Sequence, residues 1–312
     1  MIPFKGQVPL RTKRPRMHRE KHDFRVCRLR LRHTVVALVL LLAAAESARS
    51  AELRLLVYNT HGLSALIAGD NPAMRFPKIG KHTQRYDLAL LQEDFAHHEG
   101  LRSGLGTGRA ERGNKSRMPW CPICSGSGLT IVSHLPDDWQ VSIESYAYDT
   151  CSGWLGGLND CLATKGFQLA RVRTPEGSVL HVLNTHLDAG RGADDRRARA
   201  QQLDQIARTL QRTLPGSALI VAGDLNLSAD NEADRRLLEA FMRDLSLRNS
   251  GARASAGSDW EILDYILYRS GSGATVSARR AGEDRALVSD TGPLSDHPAL
   301  FSVFDIDLPR EP

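Results

Sequence analysis

The sequence lacks an apolar run long enough to cross a bilayer comfortably as a helix. Its longest run, residues 34–45 (TVVALVLLLAAA), has twelve residues, whereas a spanning helix needs about 20. Internal repeats and low-complexity tracts are also absent, which excludes solenoid and fibrous architectures. With 41% hydrophobic residues among 312, the composition is not that of a disordered chain. These absences leave a globular protein with a hydrophobic core.

The chain has little net charge outside its N-terminal segment. Residues 1–50 hold 12 Lys and Arg against 3 Asp and Glu, which leaves 29 basic and 33 acidic residues in 51–312. The total of +5 therefore reflects the first 50 residues, and the remainder carries about −4. That balance does not favour a basic groove for nucleic acid.

The N-terminal segment has the layout of an export signal. A basic stretch through Arg32 precedes the apolar run, and small residues ending in Ala48-Arg49-Ser50 follow it. We expect residues 1–50 to be a signal peptide or leader. Residues 51–312 are expected to form one folded domain, exported to the periplasm or out of the cell. An uncleaved membrane anchor is the alternative interpretation.

Cysteine is scarce and is spaced for crosslinks rather than for zinc. Of five cysteines, Cys27 lies in the leader, and the other four are Cys121, Cys124, Cys151 and Cys161. The CPIC pair is not matched by a second CxxC, so a zinc site is the weaker interpretation. An even number of cysteines in an exported chain predicts disulfides, with three pairings open.

Apolar patterns predict an alternation of buried strands and amphipathic helices. Strands are expected at residues 52–59, 87–92, 129–133, 167–173, 179–185, 218–224, 262–269 and 299–304. Helical spacing of Leu and Ile predicts helices over 194–212 and 230–245. The glycine-rich segment 100–127 predicts a long loop.

Polar side chains cluster where these strands end. The stretch ALIVAGDLNLS (218–228) places Asp224 and Asn226 two residues apart, so both project from one face of an extended chain. Because unpaired polar groups beside buried strands are costly, these groups must pair with one another or with a cation. Oxygen ligands without thiolates select Mg²⁺ or a similar hard divalent ion. The full set is Asn59, Glu93, His186, Asp224, Asn226, Asp264, Asp296 and His297.

Six segments in chain order resemble the endonuclease/exonuclease/phosphatase superfamily of deoxyribonuclease I-like hydrolases. They are LVYNTHG, LALLQED, LNTHLD, AGDLN, ILDYIL and LSDHP, and they span roughly residues 53–304. The resemblance implies an α/β fold, a four-layer α/β/β/α sandwich of two mixed β-sheets flanked by helices. It also implies Mg²⁺-dependent hydrolysis of a phosphodiester substrate.

The resemblance also implies a role for each residue. Glu93 would be the principal Mg²⁺ ligand, with Asn59 and Asp296 as further ligands. Asp224 and Asn226 would hold the phosphate, the attacking water or a second ion. His297 would be the general base, supported by Asp296. His186 would contact the phosphate or protonate the leaving group, held in its tautomer by Asp264.

Within the superfamily the chain looks like the secreted sphingomyelinase branch. Lys165-Gly166 opens the strand before the histidine strand, and Lys165 would lie near the phosphate. Two departures count against a lipid substrate: His97 stands where those enzymes usually have Asn, and residues 264–296 lack a long aromatic hairpin for membrane insertion. Docking would then need another surface, around Trp120 and Trp154.

A phospholipid is favoured over nucleic acid as the substrate, and a monomer is expected. The main alternative is a secreted endonuclease that cleaves DNA or RNA, for which Arg191, Arg196, Arg197 and Arg199 would supply charge. The preferred interpretation of those arginines is the solvated face of a helix. The third hypothesis, an inactive binding domain of the same fold, is disfavoured because every expected polar position is filled.

Overall fold

Strand β1 (Ala51–Asn59) shows how the sequence builds two buried faces. Leu53, Leu55 and Val57 alternate with Leu56 and Tyr58, and all five are buried. Because successive side chains of a strand point to opposite faces, both sides of this strand must be covered. The fold provides a second sheet on one side and helices on the other.

The computed structural model describes residues 50–63, 71–121, 123–154, 160–254, 263–290 and 292–307, so the leader interpretation lies outside the described residues. After β1 come α1 (Pro72–Thr83), β2 (Leu88–Gln92), α2 (His98–Gly104), β3 (Arg109–Arg112), β4 (Thr130–Ser133), β5 (Gln140–Ala147), a 3-10 turn (Asp160–Leu162), β6 (Gly166–Arg173) and β7 (Val179–His186). The second half contains α3 (Ala193–Thr213), β8 (Leu219–Asp224), α4 (Glu232–Asp244), β9 (Arg248–Asn249), β10 (Asp264–Arg269), β11 (Thr275–Glu283), β12 (Val288–Ser289), β13 (Gly292–Pro293) and β14 (Leu300–Asp307).

Two mixed six-stranded sheets form the centre of the molecule. The strand order is β11-β14-β1-β2-β4-β3 in the first sheet and β5-β6-β7-β8-β10-β9 in the second. Strands β1 and β2 pair in parallel, as do β7 and β8, and the other neighbours within these sheets pair antiparallel. Each sheet therefore has one parallel pair near its middle.

Three apolar layers hold the sheets and helices together. The central layer lies between the sheets and includes Leu55, Leu90 and Ile220. A second layer packs Phe76 of α1 and Leu101 of α2 on the first sheet, and a third packs α3 and α4 on the second sheet. This arrangement confirms the four-layer α/β/β/α sandwich expected from the sequence.

Segment 100–127 differs from the long loop predicted for it, because it contains part of α2 and all of β3. Strand β3 is a four-residue edge strand with three exposed side chains, so it has no apolar alternation to reveal it. The cysteines pair as Cys121–Cys124 and Cys151–Cys161, one of the three open pairings. None of the helices among the described residues is both long and apolar enough to cross a membrane.

A buried amide network crosses the space between the two sheets. Gln92 Nε2 donates to Asn184 Oδ1 at 2.7 Å, and Asn184 Nδ2 donates to the Leu91 carbonyl oxygen at 3.1 Å. Asn184 Nδ2 also lies 3.3 Å from Gln168 Oε1, and all three side chains are fully buried. These bonds fix the register of one sheet against the other, one residue before Glu93.

Replacing Asn184 with Ala should lower the free energy of unfolding by about 1–3 kcal/mol, because buried partners on Gln92 and Leu91 lose their hydrogen bonds. Urea denaturation measures the change. Gln140→Ala, at an exposed position at the start of β5, is the control and should change stability by less than about 0.5 kcal/mol. Equal losses in both variants would contradict a special role for the network.

Candidate active site

The site begins where one sheet ends opposite the other. Asn59 and Gln92 are register partners at the ends of β1 and β2, and Glu93 follows directly. Asn59 Nδ2 donates to Glu93 Oε1 at 3.0 Å and to Asp224 Oδ2 at 3.1 Å. Since Asp224 ends β8 of the second sheet, this amide brings the two carboxylates of opposite sheets to one cleft.

In the second sheet, three polar residues stand side by side. His186 pairs in register with Asp224, and Asp224 pairs in register with Asp264, so β7, β8 and β10 deliver one polar side chain each at the same level. All three are buried. The predicted strand-end cluster therefore comes from the carboxyl ends of β1, β2, β7 and β8, the start of β10 and the loop before β14.

The backbone at the cleft adopts left-handed conformations that residues other than glycine seldom take. Glu93 has φ 57°, Asn226 φ 49° and His61 φ 48°. Such conformations cost of order 1–3 kcal/mol and persist only where surrounding bonds hold them. The Gly62 amide donates to the Glu93 carbonyl oxygen at 3.1 Å, and a Cβ on Gly62 would lie 2.3 Å from that oxygen. Gly62 thus permits the close approach that fixes Glu93.

Burial raises the pKa values of the two carboxyl groups, Glu93 and Asp224. Burial raises the pKa of Glu93, and the neighbouring charge of Asp224 raises it further, against the opposing effects of the Asn59 hydrogen bond and of Lys165 and His297. Burial and the charge of Asp264 raise the pKa of Asp224 to about 6. A cation between these groups would stabilise their ionised forms.

His297 is held by Asp264, which corrects two expected pairings. His297 Nδ1 lies 3.0 Å from Asp264 Oδ2, and His297 Nε2 lies 3.7 Å from Asp224 Oδ2. Asp264 was expected to orient His186 and Asp296 to support His297. The register places Asp264 at the end of β10, beside the loop that carries His297, so it holds that ring and leaves Nε2 facing the cleft.

The carboxylates around His297 determine its charge state. Burial lowers its pKa, but the charge and hydrogen bond of Asp264 raise it, as do the charges of Asp224 and Asp296, and the outcome is a pKa of about 10. Without a bound cation the imidazole is therefore protonated at neutral pH. Atoms of Asp224, Asp264 and His297 all lie within 4.8 Å of one another.

His186 has a different environment and no carboxylate on its far side. Its Nε2 lies 3.4 Å from Lys165 Nζ and 3.6 Å from Asp224 Oδ2. The described residues offer no hydrogen-bond partner to Nδ1. Burial and the charges of Lys165 and His297 lower the pKa of His186 well below its ordinary value, so the ring is neutral. A neutral ring suits contact with a phosphate oxygen better than proton donation to a leaving group.

Lys165 is buried, and a residue that the sequence analysis missed holds it in place. Lys165 Nζ lies 2.6 Å from Asp160 Oδ1 and donates to the Leu187 carbonyl oxygen at 2.8 Å. Asp160 Oδ2 accepts from the Ala189 amide at 2.8 Å. Asp160 adjoins the disulfide residue Cys161, and this adjacency was the one sequence signal available. Lys165 is therefore a fixed, buried cation rather than a solvated loop lysine.

Asn226 and Asp296 lie on different sides of the cleft. The Asn226 amide donates to Asp224 Oδ1 at 2.9 Å, and Asn226 Nδ2 donates to the Leu187 carbonyl oxygen, the same oxygen that Lys165 binds. Asp296 instead pairs with His61 Nδ1 at 3.2 Å, with 53% of its side chain exposed. Asn226 thus belongs with Lys165, while Asp296 stands at the rim.

Two arginines support the loops around the site. Arg199, expected on the solvated face of α3, is 1% exposed and donates to the carbonyl oxygens of Asp188 and Gly190 at 3.0 and 2.8 Å. The reason is that the chain after β7 folds back over α3 and needs donors for its carbonyls. Arg75 of α1 donates to the carbonyl oxygens of Thr60, His61 and Leu294. Arg75 thereby joins the loop after β1 to the loop before His297.

A family model agrees with this architecture. The model described as the endonuclease/exonuclease/phosphatase family matches residues 56–297. This chain belongs to that family. The match runs from β1 through His297 and so includes every strand end that lines the cleft.

Individual relatives include sphingomyelinases. The chain is 28% identical over 278 residues to the sphingomyelinases of Mycobacterium tuberculosis and Mycobacterium bovis, an alignment that covers 80% of this chain and 51% of theirs. The chain therefore spans about half the length of the curated relatives it matches. Family members are hydrolases, and the sphingomyelinase branch is the one that the sequence resembles.

Solved structures share the fold. Sphingomyelinase C from Streptomyces griseocarneus superposes with a TM-score of 0.62 at 21% identity, over 81% of this chain and 99% of that one. A beta toxin double mutant from Staphylococcus aureus, solved with bound magnesium ions, gives a TM-score of 0.61 at 15% identity, over 81% and 99% of the two chains. At these identities the likeness establishes the sandwich.

Replacing Asp264 with Asn should lower the pKa of His297, about 10 in the intact site, by about 1–3 pH units. The reason is that an imidazolium loses stabilisation when a carboxylate beside it becomes neutral. NMR titration of the His297 ring in metal-free protein measures the change. Asp296→Asn is the matched control and should have the smaller effect, because Asp296 pairs with His61. A larger fall in the Asp296 variant would restore the pairing expected from sequence.

Proposed function

We propose that this protein is an exported Mg²⁺-dependent phosphodiester hydrolase of the sphingomyelinase-like kind, which releases phospholipid head groups. The observation that carries the proposal is the cleft itself. One amide, that of Asn59, bridges Glu93 and Asp224, and the Asp264–His297 pair faces Asp224 from the side. Family membership supports hydrolysis, and the relatives' names support the lipid class.

The donor set at the cleft fits a hard divalent ion. Glu93 and Asp224 offer carboxylate oxygens, as Mg²⁺ prefers, and the cysteines among the described residues are all in disulfides. Asn59 lies between the two carboxylates through its Nδ2, and its Oδ1 accepts from the His61 amide at 3.1 Å. Burial and neighbouring carboxylates raise the pKa values of Glu93 and Asp224, so a bound cation would stabilise their ionised forms. We assign Glu93 as the principal ligand with Asn59 beside it. Asp296, at the rim, stays a predicted further ligand.

When bound, Mg²⁺ would supply positive charge that offsets the carboxylates and polarises the phosphate. His297 would act as general base, because Asp264 fixes its Nδ1 and leaves Nε2 directed toward Asp224 and the cleft. Asp224 would orient the attacking water beside His297 Nε2. This assignment keeps the predicted base and gives its orienting role to Asp264.

The phosphate would be held on the opposite side of Asp224. Lys165 Nζ and His186 Nε2 lie 3.4 Å apart, and Asn226 Nδ2 shares the Leu187 carbonyl oxygen with Lys165. Lys165 contributes a fixed positive charge, and Asn226 and the neutral His186 contribute neutral polar contacts. Because Asp160 and Leu187 already orient the ammonium group, little ordering is needed when substrate binds.

A phospholipid substrate is favoured over nucleic acid by the use of the arginines. Arg199 is committed to backbone carbonyls, Arg196 pairs with Asp234 at 3.2 Å, and Arg197 pairs with Asp194 at 3.1 Å. A nucleic-acid groove needs such groups directed at phosphates. Export to the periplasm or outside the cell is consistent with two disulfides among the described residues.

His297→Ala should lower the rate of hydrolysis by about 10²–10⁴, because the general base is lost.

Replacing Glu93 with Gln should reduce hydrolysis about a hundredfold or more. Mutating a residue that only hydrogen-bonds to a metal ligand already lowers metal affinity about 10–100-fold, and Glu93 is the proposed ligand itself. The measurements are initial rates over a range of Mg²⁺ concentrations and the loss of activity in EDTA that Mg²⁺ restores. Glu99→Gln, on α2 with 84% of its side chain exposed, is the control. Unchanged turnover in the Glu93 variant would remove it from the mechanism.

The substrate class is tested by one side-by-side assay of the protein from residue 51 onward with Mg²⁺. The substrates are sphingomyelin, phosphatidylcholine, duplex DNA, RNA and a small phosphomonoester. Release of phosphocholine from one or both lipids is expected, with little cleavage of the polymers. Cleavage of nucleic acid alone would establish the endonuclease alternative, and inactivity of a folded, Mg²⁺-binding protein would support the binding-domain hypothesis.

A further inference from the structure

Large apolar side chains that remain exposed all lie at one end of the sandwich. Among the described residues they are Met74, Trp120, Ile123, Trp154 and Val288, with exposures from 54% to 80%. Each belongs to a connection that leaves or enters the sheets at the end where the cleft lies. Trp120 and Ile123 lie between β3 and β4, Trp154 between β5 and β6, and Val288 between β11 and β14. Met74 lies in the first turn of α1, the helix that follows β1 in the chain.

The opposite end of the sandwich has a different surface. Its connections carry the exposed residues Asp137, Asp138, Glu176, Pro215 and Gly216, between β4 and β5, between β6 and β7 and before β8. Among the described residues, this end has no large hydrophobic side chain as exposed as those five apolar residues, and Trp139 between β4 and β5 is half-buried. The apolar exposure is therefore one-sided, which ordinary scatter of surface hydrophobics does not explain.

The loops that carry Trp120, Ile123 and Trp154 are tied together. The Arg117 amide donates to Thr164 Oγ1 at 2.9 Å, and the Ser125 amide donates to the Leu162 carbonyl oxygen at 2.9 Å. The disulfides Cys121–Cys124 and Cys151–Cys161 close each loop on itself. Each crosslink limits the freedom of its loop, which lowers the conformational entropy lost when a surface covers it.

A cavity beside these loops has Lys165 in its wall. It has a volume of about 330 Å³ and is also lined by Met118, Tyr148, Trp154 and the Cys151–Cys161 disulfide. Lys165 contacts His186 at 3.4 Å and therefore belongs to the proposed phosphate pocket. The exposed tryptophan and the phosphate-binding lysine thus share one opening.

We infer that the cleft end of the sandwich docks on a lipid bilayer, with Trp120, Ile123 and Trp154 inserted at the interface. This inference rests on the proposed function, since a lipid hydrolase must reach head groups in a membrane. Tryptophan prefers the membrane interface, where its ring is buried and its N–H stays hydrated. Trp154 lines the same cavity as Lys165, so this surface adjoins the proposed phosphate pocket, where a lipid hydrolase must meet a bilayer.

The test uses the Trp120→Ala/Ile123→Ala double variant, because neither residue contacts the proposed machinery. Binding is measured by sedimentation with vesicles of phosphatidylcholine and sphingomyelin in EDTA, where no hydrolysis occurs. We expect vesicle affinity to fall at least tenfold, since two apolar side chains lose their burial. Hydrolysis of vesicle lipid with Mg²⁺ should fall similarly, whereas hydrolysis of soluble bis(4-nitrophenyl) phosphate should stay within twofold. Trp120→Phe/Ile123→Leu should retain binding within threefold.

Three outcomes would overturn the docking surface. The first is equal vesicle affinity of the alanine variant and the unchanged protein. The second is an unchanged protein that hydrolyses the soluble diester but does not bind vesicles. The third is self-association of the protein that the alanine variant abolishes while vesicle binding stays the same. Thermal unfolding confirms that the variant is folded. If the unchanged protein hydrolyses neither vesicle lipid nor the soluble diester, the proposed hydrolase function is wrong. Its affinity for vesicles would still test the docking surface.

Discussion

The site depends on the Asn59 amide, which lies between a carboxylate of each sheet. Inside the sandwich, Leu, Val and Ile side chains hold the sheets together; at this end the apolar layer stops, and amides, carboxylates and imidazoles replace it. Polar groups at such a position are stable only when paired, so each one fixes its neighbour. The Gln92–Asn184 bond one residue earlier begins this change from an apolar to a polar interior.

Parallel pairing explains why so many of these groups meet. Each sheet has a parallel pair among its described strands, β1 with β2 and β7 with β8, and the carboxyl ends of a parallel pair lie at the same edge. Strand β10 runs antiparallel to β8 and so begins there, which brings Asp264 level with Asp224. A shift of one residue in any of these registers would turn its polar side chain away from the cleft.

The sequence predicted the strands that end in the cleft and most residues in it, because buried strands leave long apolar runs and their polar ends stand out. Which of these side chains contact one another was harder to predict. Asp264 was expected on His186 and lies on His297, since adjacency across strands depends on register that no local pattern encodes. Arg199 was expected in solvent, yet it serves carbonyls of a loop whose path is tertiary. Asp160 was missed because a single acidic residue in a glycine-rich segment carries no periodic signal.

The second disulfide connects the chemistry to the surface. Cys161 adjoins Asp160, which orients Lys165, and Cys151 lies on the loop that exposes Trp154 three residues later. A short crosslinked segment therefore positions a buried cation and an exposed aromatic ring together. Trp154 and Lys165 line the same cavity, so a membrane contact at Trp154 would bring a head group close to Lys165. This proximity is the physical reason to expect membrane docking and phosphate binding at the same end of the molecule.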